Sequence, residues 1–394
     1  MKKNTNRAAV IFVVLLGLVS LFSDMTYEGA RSINGQFLEL LGTNGFIVGI
    51  VAGIGELFGY GLRLISGYFA DKTKRYWLIT ILGYTLNLFS VPILAWAGYW
   101  QLAVTFMIME RIGKALRSPA KDALLSFGAK QIGAGWGFGL QEALDQIGAT
   151  LGPILVAAVL YFKNQNYQLA YFLLFIPAII AISILFYAKY LYPNPENLEV
   201  KTKSLEIKGY NKYFWWYLSA VIFVAAGYAD FPIIAYHIKL KHLVNDSAIP
   251  LIYSFAMISD AFAALILGKL YDKIGLKSLL IAILLSALFS PLIFLGNLNL
   301  IIIGMALWGI GMGAQESILR AFIAQIIPQN KRGTSYGTFN AVYGIFWFLG
   351  SSLIGLLYDK SLIALVLFST ITQIIGAIII FMLSQSHFSK QIHN

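Results

Sequence analysis

Apolar runs long enough to cross a bilayer recur from one end of this 394-residue chain to the other. Between turn signals they are centred in 8–38, 46–70, 77–97, 101–124, 134–162, 168–190, 213–238, 250–270, 278–296, 300–327, 333–358 and 362–383. About 20 apolar residues in a helix cover a hydrocarbon core of roughly 30 Å. A chain that is 58% hydrophobic and 12% charged, with a mean hydropathy of +0.73, belongs in a membrane. No long alternating pattern marks a barrel, so helices must satisfy the backbone inside the bilayer. The fold class is therefore an all-α membrane protein of twelve transmembrane helices. The opening MKKNTNR is followed by no small-residue cleavage site before Ser23-Asp24, and the first run reads as a retained span. With no cysteine, the chain has no disulfide, thiolate metal site or cysteine nucleophile.

The net charge of +11 is placed unevenly. Lys2, Lys3 and Arg7, then Lys72, Lys74 and Arg75, then Lys121 and Lys130, then Lys273 and Lys277, then Lys331 and Arg332 fall on one side of the alternating trace. The opposite loops Gly98–Gln101 and Asn297–Asn299 carry no charge, and Lys239 with Lys241 is the exception. Basic residues gather in cytoplasmic loops. The expectation is a multi-pass protein of the cell (inner) membrane with both termini cytoplasmic, and no nucleic-acid partner.

The chain also repeats itself. GYFADKTKR from Gly67 returns as GKLYDKIGLK from Gly268, with Gly, Asp and Lys in register. Ile112-Gly113 matches Ile310-Gly311, Gly135 matches Gly333 and Gly139 matches Gly337, all at one offset. Repeats at half-chain scale define an architecture. The polar stretch Tyr192 to Lys212 then reads as a cytoplasmic linker between an N-terminal bundle, 1–191, and a C-terminal bundle with a short tail, 213–394. The repeated stretch resembles the loop signature of the major facilitator superfamily, G-x-x-x-D-R/K-x-G-R/K. Gly67, Asp71, Lys72 and Arg75 carry it in the first copy, and Gly268, Asp272 and Lys273 in the second. Lys74 stands where the signature has its second glycine, a residue that would take positive φ without strain. The resemblance implies two pseudo-symmetric six-helix bundles around a central cavity lined by helices 1, 4, 7 and 10. It also implies an Asp71 that accepts hydrogen bonds at the end of a neighbouring helix.

Charges inside the spans follow a period of three. Spans 3, 6, 9 and 12 have none in their interiors, whereas spans 1, 4, 7 and 10 carry Asp24, Glu28 and Arg31; Glu110, Arg111 and Lys114; Asp230; and Glu316 and Arg320. Each costs at least ~2.5 kcal/mol on insertion scales and needs a partner, a watery cavity or a function. Every third helix is thus expected to face lipid and the first of each triplet a cavity. Asp24, Glu28 and Arg31 share one helical face. Two acids with one base on a stripe can carry a proton, although an ion pair that merely locks the helix is the plainer reading. Glu142 and Asp145 on span 5 are a second pair of proton-carrying candidates. Spans 2 and 8 carry Glu56, Arg63 and Asp260; Glu56 and Arg63 could join the network of span 1 or pair with each other across a watery gap and are assigned to structure by default, and Arg117 and Lys121 are expected to snorkel to the headgroups.

Two further stretches resemble superfamily motifs. Arg111 matches the arginine of R-x-x-Q-G, associated with proton transfer, while Lys114 and Ala115 replace its glutamine and glycine. Gly139, Gly148, Gly152 and Pro153 match the G-x8-G-x3-G-P of antiporters, although Gly148 and Gly152 also suit simple close packing. The resemblance implies a secondary transporter that exports a small organic solute against protons by alternating access. The alternatives are proton-coupled uptake and a membrane-embedded enzyme or receptor. For an enzyme, His237, His242, His387 and His393 sit at span ends or in the tail, and no H-E-x-x-H or similar spacing occurs. The expectation is a monomer in the lipid bilayer, with solute and protons as ligands and neither cofactor nor metal. A cavity with both signs of charge suits an amphipathic, zwitterionic or cationic molecule.

Overall fold

A computed structural model describes residues 2–132, 134–195, 212–326 and 332–385. Twelve helical spans follow in chain order: α1 Lys2–Leu40, α2 Gly45–Thr73, α3 Tyr76–Ile93 with a tighter turn at Leu94–Trp96, and α4 Trp100–Ile132. Then come α5 Ala134–Phe162 and α6 in two pieces, Tyr167–Leu173 and Phe175–Leu191. The second half holds α7 in two pieces, Lys212–Gly227 and Phe231–Leu240, and α8 Ile249–Ile274. It continues with α9 in two pieces, Leu276–Ser286 and Phe289–Phe294, then α10 Leu298–Ile326, α11 Arg332–Lys360 and α12 Leu362–Gln385. Eleven are long and apolar enough to span a membrane; α4 is long enough, but five cationic or acidic side chains between Glu110 and Lys121 break its apolar run. The expected linker falls mostly on 196–211 and the tail on 386–394, outside the described residues, as does Lys331 of the expected inner loops.

Helices α1 to α6 pack among themselves, as do α7 to α12, and the two bundles meet along α2 with α11, α5 with α8, and α1 with α7. Helix α7 is the most enclosed span. Lipid-facing surface is less periodic than the charge pattern suggests. Helix α12 does expose Ile363, Leu367, Ile371 and Ile378, but α8 also exposes Phe262, Leu265 and Ile266.

The α2–α11 seam is a backbone contact. A Cβ on Gly49 would lie 2.4 Å from the Ser351 carbonyl oxygen and 2.8 Å from Gly355 Cα, and one on Gly355 would lie 2.6 Å from the Gly45 oxygen. No side chain larger than hydrogen fits there without separating the helices.

The repeated loops close alike. Lys74 takes φ 56° and donates its N–H to the Ala70 carbonyl, while Gly275, the glycine of the second copy, takes φ 60° and donates to Tyr271. Both loops turn on a positive-φ residue, but Lys74 is left-handed helical with ψ 13° whereas Gly275 has ψ −139°, a conformation that suits glycine alone.

Candidate substrate and coupling site

Helix α7 breaks at Tyr228, Ala229 and Asp230. An unwound segment at membrane depth is tolerated only where protein or a cavity satisfies its backbone. Here Trp308 Nε1 donates to the Ala229 carbonyl at 2.8 Å, and the Tyr228 hydroxyl donates to the Trp308 carbonyl. Asp230 caps the second piece of α7, accepting the Phe231 N–H at 2.9 Å, and Arg31 of α1 donates to the same oxygen at 2.7 Å. The sequence held this signal: an aspartate two residues before Pro232 is a helix-start signature inside an apolar run.

From Arg31 the charges spread across both bundles. Its guanidinium lies 3.2 Å from Glu56 of α2 and 3.8 Å from Glu28, one turn back on α1. Glu56 also meets Arg111 of α4 at 3.4 Å, and Arg111 lies 3.3 Å from its neighbour Glu110. Lys114 sits 3.8 Å from Glu28 and over the Tyr27 ring at 4.0 Å. Two uncharged residues that the charge pattern does not single out complete the set. Asn87 of α3 donates to Glu110 Oε1 at 2.7 Å, and Tyr253 of α8 donates to Glu28 Oε2 at 2.6 Å. All of these charged groups are buried or nearly so, which makes them neighbours in a low dielectric and costly to leave unpaired. Glu56 joins the network of span 1, between the two arginines. A cavity of about 30 Å³, the size of one water molecule, lies among Asn34, Gly55, Met107, Glu110, Arg111 and Asp230. A larger groove of about 1060 Å³ opens between α5 and the start of α8, lined by Ile154, Tyr161, His242 and Leu251, away from these charges.

The stripe on α1 divides in its contacts. Glu28 and Arg31 enter the cluster, but Asp24 packs against Gly148 of α5 and has Asp145, Lys114, Arg117 and Glu28 as its surrounding charges. Among the described residues Asp24 makes no ion pair within 4 Å. Asp145 takes only a 3.5 Å contact from Gln141, and its other oxygen is buried without a hydrogen-bond partner. Glu142 is exposed, 3.3 Å from Gln146. Arg117 and Lys121 do not snorkel. They are 3% and 6% exposed, with Arg117 over the Tyr84 ring at 4.3 Å and Lys121 donating to Ser20 at 3.0 Å, because α1 and α3 cover this stretch of α4. Gly148 and Gly152 bring α5 against the α1 backbone: a Cβ on either would fall 2.1 to 2.3 Å from a carbonyl oxygen. Gly139 lies in α5 and Pro153 within its apolar half.

In the repeated loop, Asp71 is exposed and accepts from the Tyr76 hydroxyl at 3.2 Å, five residues on, rather than from a neighbouring helix end. Arg75 precedes α3 with no capping bond from its side chain. Gly67 faces Pro119 of α4 and Gly268 faces open space. Lys72 lies over the Tyr68 ring, and Lys273 is exposed in the last turn of α8. Glu316 lies on α10; the side chains of Asp272 and Arg320 fall outside the described residues.

The far end of the bundle, opposite the termini, is bolted. Asp359 at the end of α11 accepts the Gly45 and Phe46 N–H groups of α2 at 2.9 and 2.8 Å, beside Asn44, which caps Ile47 at 3.0 Å. Lys239 of α7 reaches Asp246 at 2.6 Å and Glu39 at 3.6 Å, and the Tyr167 hydroxyl lies 2.6 Å from Asp246 and 2.7 Å from Gln36. These acids explain the exception to the charge asymmetry: Lys239 answers Glu39 and Asp246 rather than headgroups. Among the described residues no three His, Asp or Glu side chains converge as a metal site.

Two helical bundles, closed over a shared buried charge cluster and meeting at a broken helix, are the build of a secondary transporter. The family model described as Major Facilitator Superfamily matches residues 13–351 and, again, 216–391. This chain belongs to that superfamily. It is 38% identical over 376 residues, 94% of this chain and 92% of the relative, to uncharacterized proteins of Mycobacterium tuberculosis and Mycobacterium bovis. An uncharacterized MFS-type transporter of Methanocaldococcus jannaschii is 26% identical over 93% of this chain and 94% of its own. Among solved structures, a bacterial homolog of the human lysosomal transporter Spinster, inward-facing and unoccupied, superposes with a TM-score of 0.75 at 13% identity, covering 97% of this chain and 98% of that one. The nucleoside transporter NupG gives 0.72 at 14% identity over 94% and 98%. At these identities the likeness is one of fold.

Proposed function

We propose that this protein exports a small organic solute across the cell membrane in exchange for protons, with both termini on the cytoplasmic side, and that its acids couple the two fluxes. The observation that carries the reading is the sharing of charge across the bundle interface. Arg31 of the first bundle is divided between Glu28 and Glu56 on its own side and Asp230 on the other, while Glu28 accepts from Tyr253 of the second bundle. A proton on one of these carboxylates, or a charged solute among them, changes how many bonds cross the interface. Two ligands that bias the same pair of conformations in opposite senses are thermodynamically coupled. Asp24 and Asp145, with no cation within 4 Å among the described residues, are the groups most open to a proton, and Glu28 ties it to the interface. Export rather than uptake rests on the glycine pattern of α5, which the packing of α5 on α1 also explains, so direction is the part that the test must decide.

A deletion strain is screened for hypersensitivity and for accumulated metabolites, and the solute so found is loaded into proteoliposomes carrying the purified protein. Efflux should follow an imposed pH gradient. Asp24→Asn, Glu28→Gln, Glu142→Gln and Asp145→Asn should include at least one variant that abolishes gradient-driven flux but retains solute exchange at equal pH. Wild-type flux and pH dependence in all four returns these acids to structural pairing; accumulation driven in the same direction as protons makes the protein a symporter.

A further inference from the structure

The carboxylates of the central cluster each lie within 4 Å of a base, but Asp260 of α8 does not. It is 2% exposed, its Oδ1 has no hydrogen-bond partner, and it forms no ion pair among the described residues. A structural carboxylate at this depth would show the partner that holds it. Among the described residues, the charged groups facing it are acids: Glu316 of α10, Glu142 of α5 and Glu28 of α1. From α7 the Tyr228 hydroxyl is already committed to the Trp308 carbonyl. On α10 it lies against Gly313, where a methyl group would fall 2.9 Å from Oδ1 and 2.5 Å from the Asp260 carbonyl oxygen. Glu316 is three residues further along the same face. An ionised carboxylate here has buried charge, like-charged neighbours and, among the described residues, no counter-ion, an arrangement that a cation relieves.

The closeness of Gly313 decides which cation. Oδ1 is shut off from solvent and faces Gly313, so an organic ammonium has no open space beside it, and a bare metal ion needs a shell of oxygens that a single orphaned one does not supply. A proton needs neither. We propose that Asp260, with Glu316 as the second carboxylate of the pair, is a proton-binding site of the C-terminal bundle, separate from the Arg31 cluster. The inference rests on the proton-coupled reading above and adds to it a site in the opposite bundle: a proton held there leaves the α8–α10 contact neutral and tight. Loss of that proton puts a bare charge at the same contact, where Gly313 leaves it no room to withdraw.

The test needs no solute. The purified protein in liposomes is followed by infrared difference spectroscopy in the carboxylic-acid carbonyl region as pH is stepped upward, in sodium-free buffer and again with sodium added. The expected result is a carboxylic-acid band that is lost on raising pH in the wild type and in Asp71→Asn, that is missing throughout in Asp260→Asn, and that ignores sodium. Asp260→Glu, which keeps the acid on a longer arm, should retain the band at a displaced frequency, and Glu316→Gln should move its titration. An unchanged band in Asp260→Asn, or in Asp260→Glu should the asparagine variant fail to fold, overturns the assignment, and so does a band that sodium removes. Because the spectrum is independent of flux, the two ideas fail separately. A band that depends on Asp260 in a protein with pH-insensitive transport refutes coupling alone. A pH-driven transporter whose band ignores Asp260 refutes this site alone.

Discussion

Replacing Asp359 should loosen the far face by an amount that the geometry allows one to work out. Its two carboxylate oxygens accept two N–H groups from the first turn of α2, at 2.9 and 2.8 Å, and the bond joins the last turn of α11 to the other bundle. A lost helix cap costs about 0.5–2 kcal/mol, and hydrogen bonds to a charged acceptor lie at the upper end. Asp359 is exposed, so water partly replaces it and the lower end applies, about 1 kcal/mol. That energy is present only while the far face is closed, so Asp359→Ala should raise the far-open population roughly five-fold. Asp359→Asn keeps one uncharged acceptor and should give a smaller shift. Since the chain has no cysteine, Lys163→Cys and Lys241→Cys, both at exposed positions on opposite bundles, can carry spin labels without background. Pulsed dipolar spectroscopy should then show a longer-distance component that grows from wild type through Asn to Ala. Asn44→Ala is the control: its bond to Ile47 stays within one bundle, so it weakens α2 without favouring opening. An unaltered distance distribution in Asp359→Ala, or a larger shift in Asn44→Ala, would refute the reasoning.

Arg31→Ala leaves Asp230 without its base and removes one of two from Glu56, and should lower stability by roughly 3–5 kcal/mol, read as a fall in melting temperature of the purified protein. Arg31→Lys should not restore it, because one ammonium cannot replace two guanidinium nitrogens set on three acids. Lys74→Gly relieves a lysine at φ 56° and should stabilise the protein by about 1 kcal/mol, whereas Gly275→Lys, at φ 60° and ψ −139°, should destabilise it by about 1–3 kcal/mol; equal melting temperatures would contradict both. Gly49→Val drives side-chain atoms into the α11 backbone and should cost about 1–3 kcal/mol while arresting transport even where the protein folds, measured by melting and by solute exchange.

The spans were legible because hydrophobic length is set by the bilayer and leaves its mark residue by residue. Helix ends fell close to the turn signals, as at 134–162, where the apolar run and α5 coincide. What could not be read from apolar periodicity were the interruptions. The break in α7 lies within a run that is apolar enough on average to be one span, and Asp230 with Pro232 records it. The charge pattern found Arg31, Arg111 and Glu28 but missed Asn87 and Tyr253, since an uncharged polar residue in an apolar helix carries no cost large enough to mark it. Sequence spacing also placed Asp24 beside Glu28 and Arg31, correctly for one helix, yet neighbours on α5 turned it away from the cluster. Partnership across helices is a property of packing, and a single chain read in one dimension records which groups need partners but not which partners they find.

The backbone contact between α2 and α11 has a mechanical consequence. Interlocked side chains act as teeth, and a helix that tilts across them must lift over each one. Where Gly49 meets Ser351 and Gly355 there are no teeth: two smooth stretches of backbone touch, and rolling one over the other exchanges one close contact for another like it. A seam so built would serve as a low-friction bearing in the alternating-access cycle proposed above. Asp359 bonds α2 at the end of that seam, so its two hydrogen bonds tie the helices together directly beside the bearing.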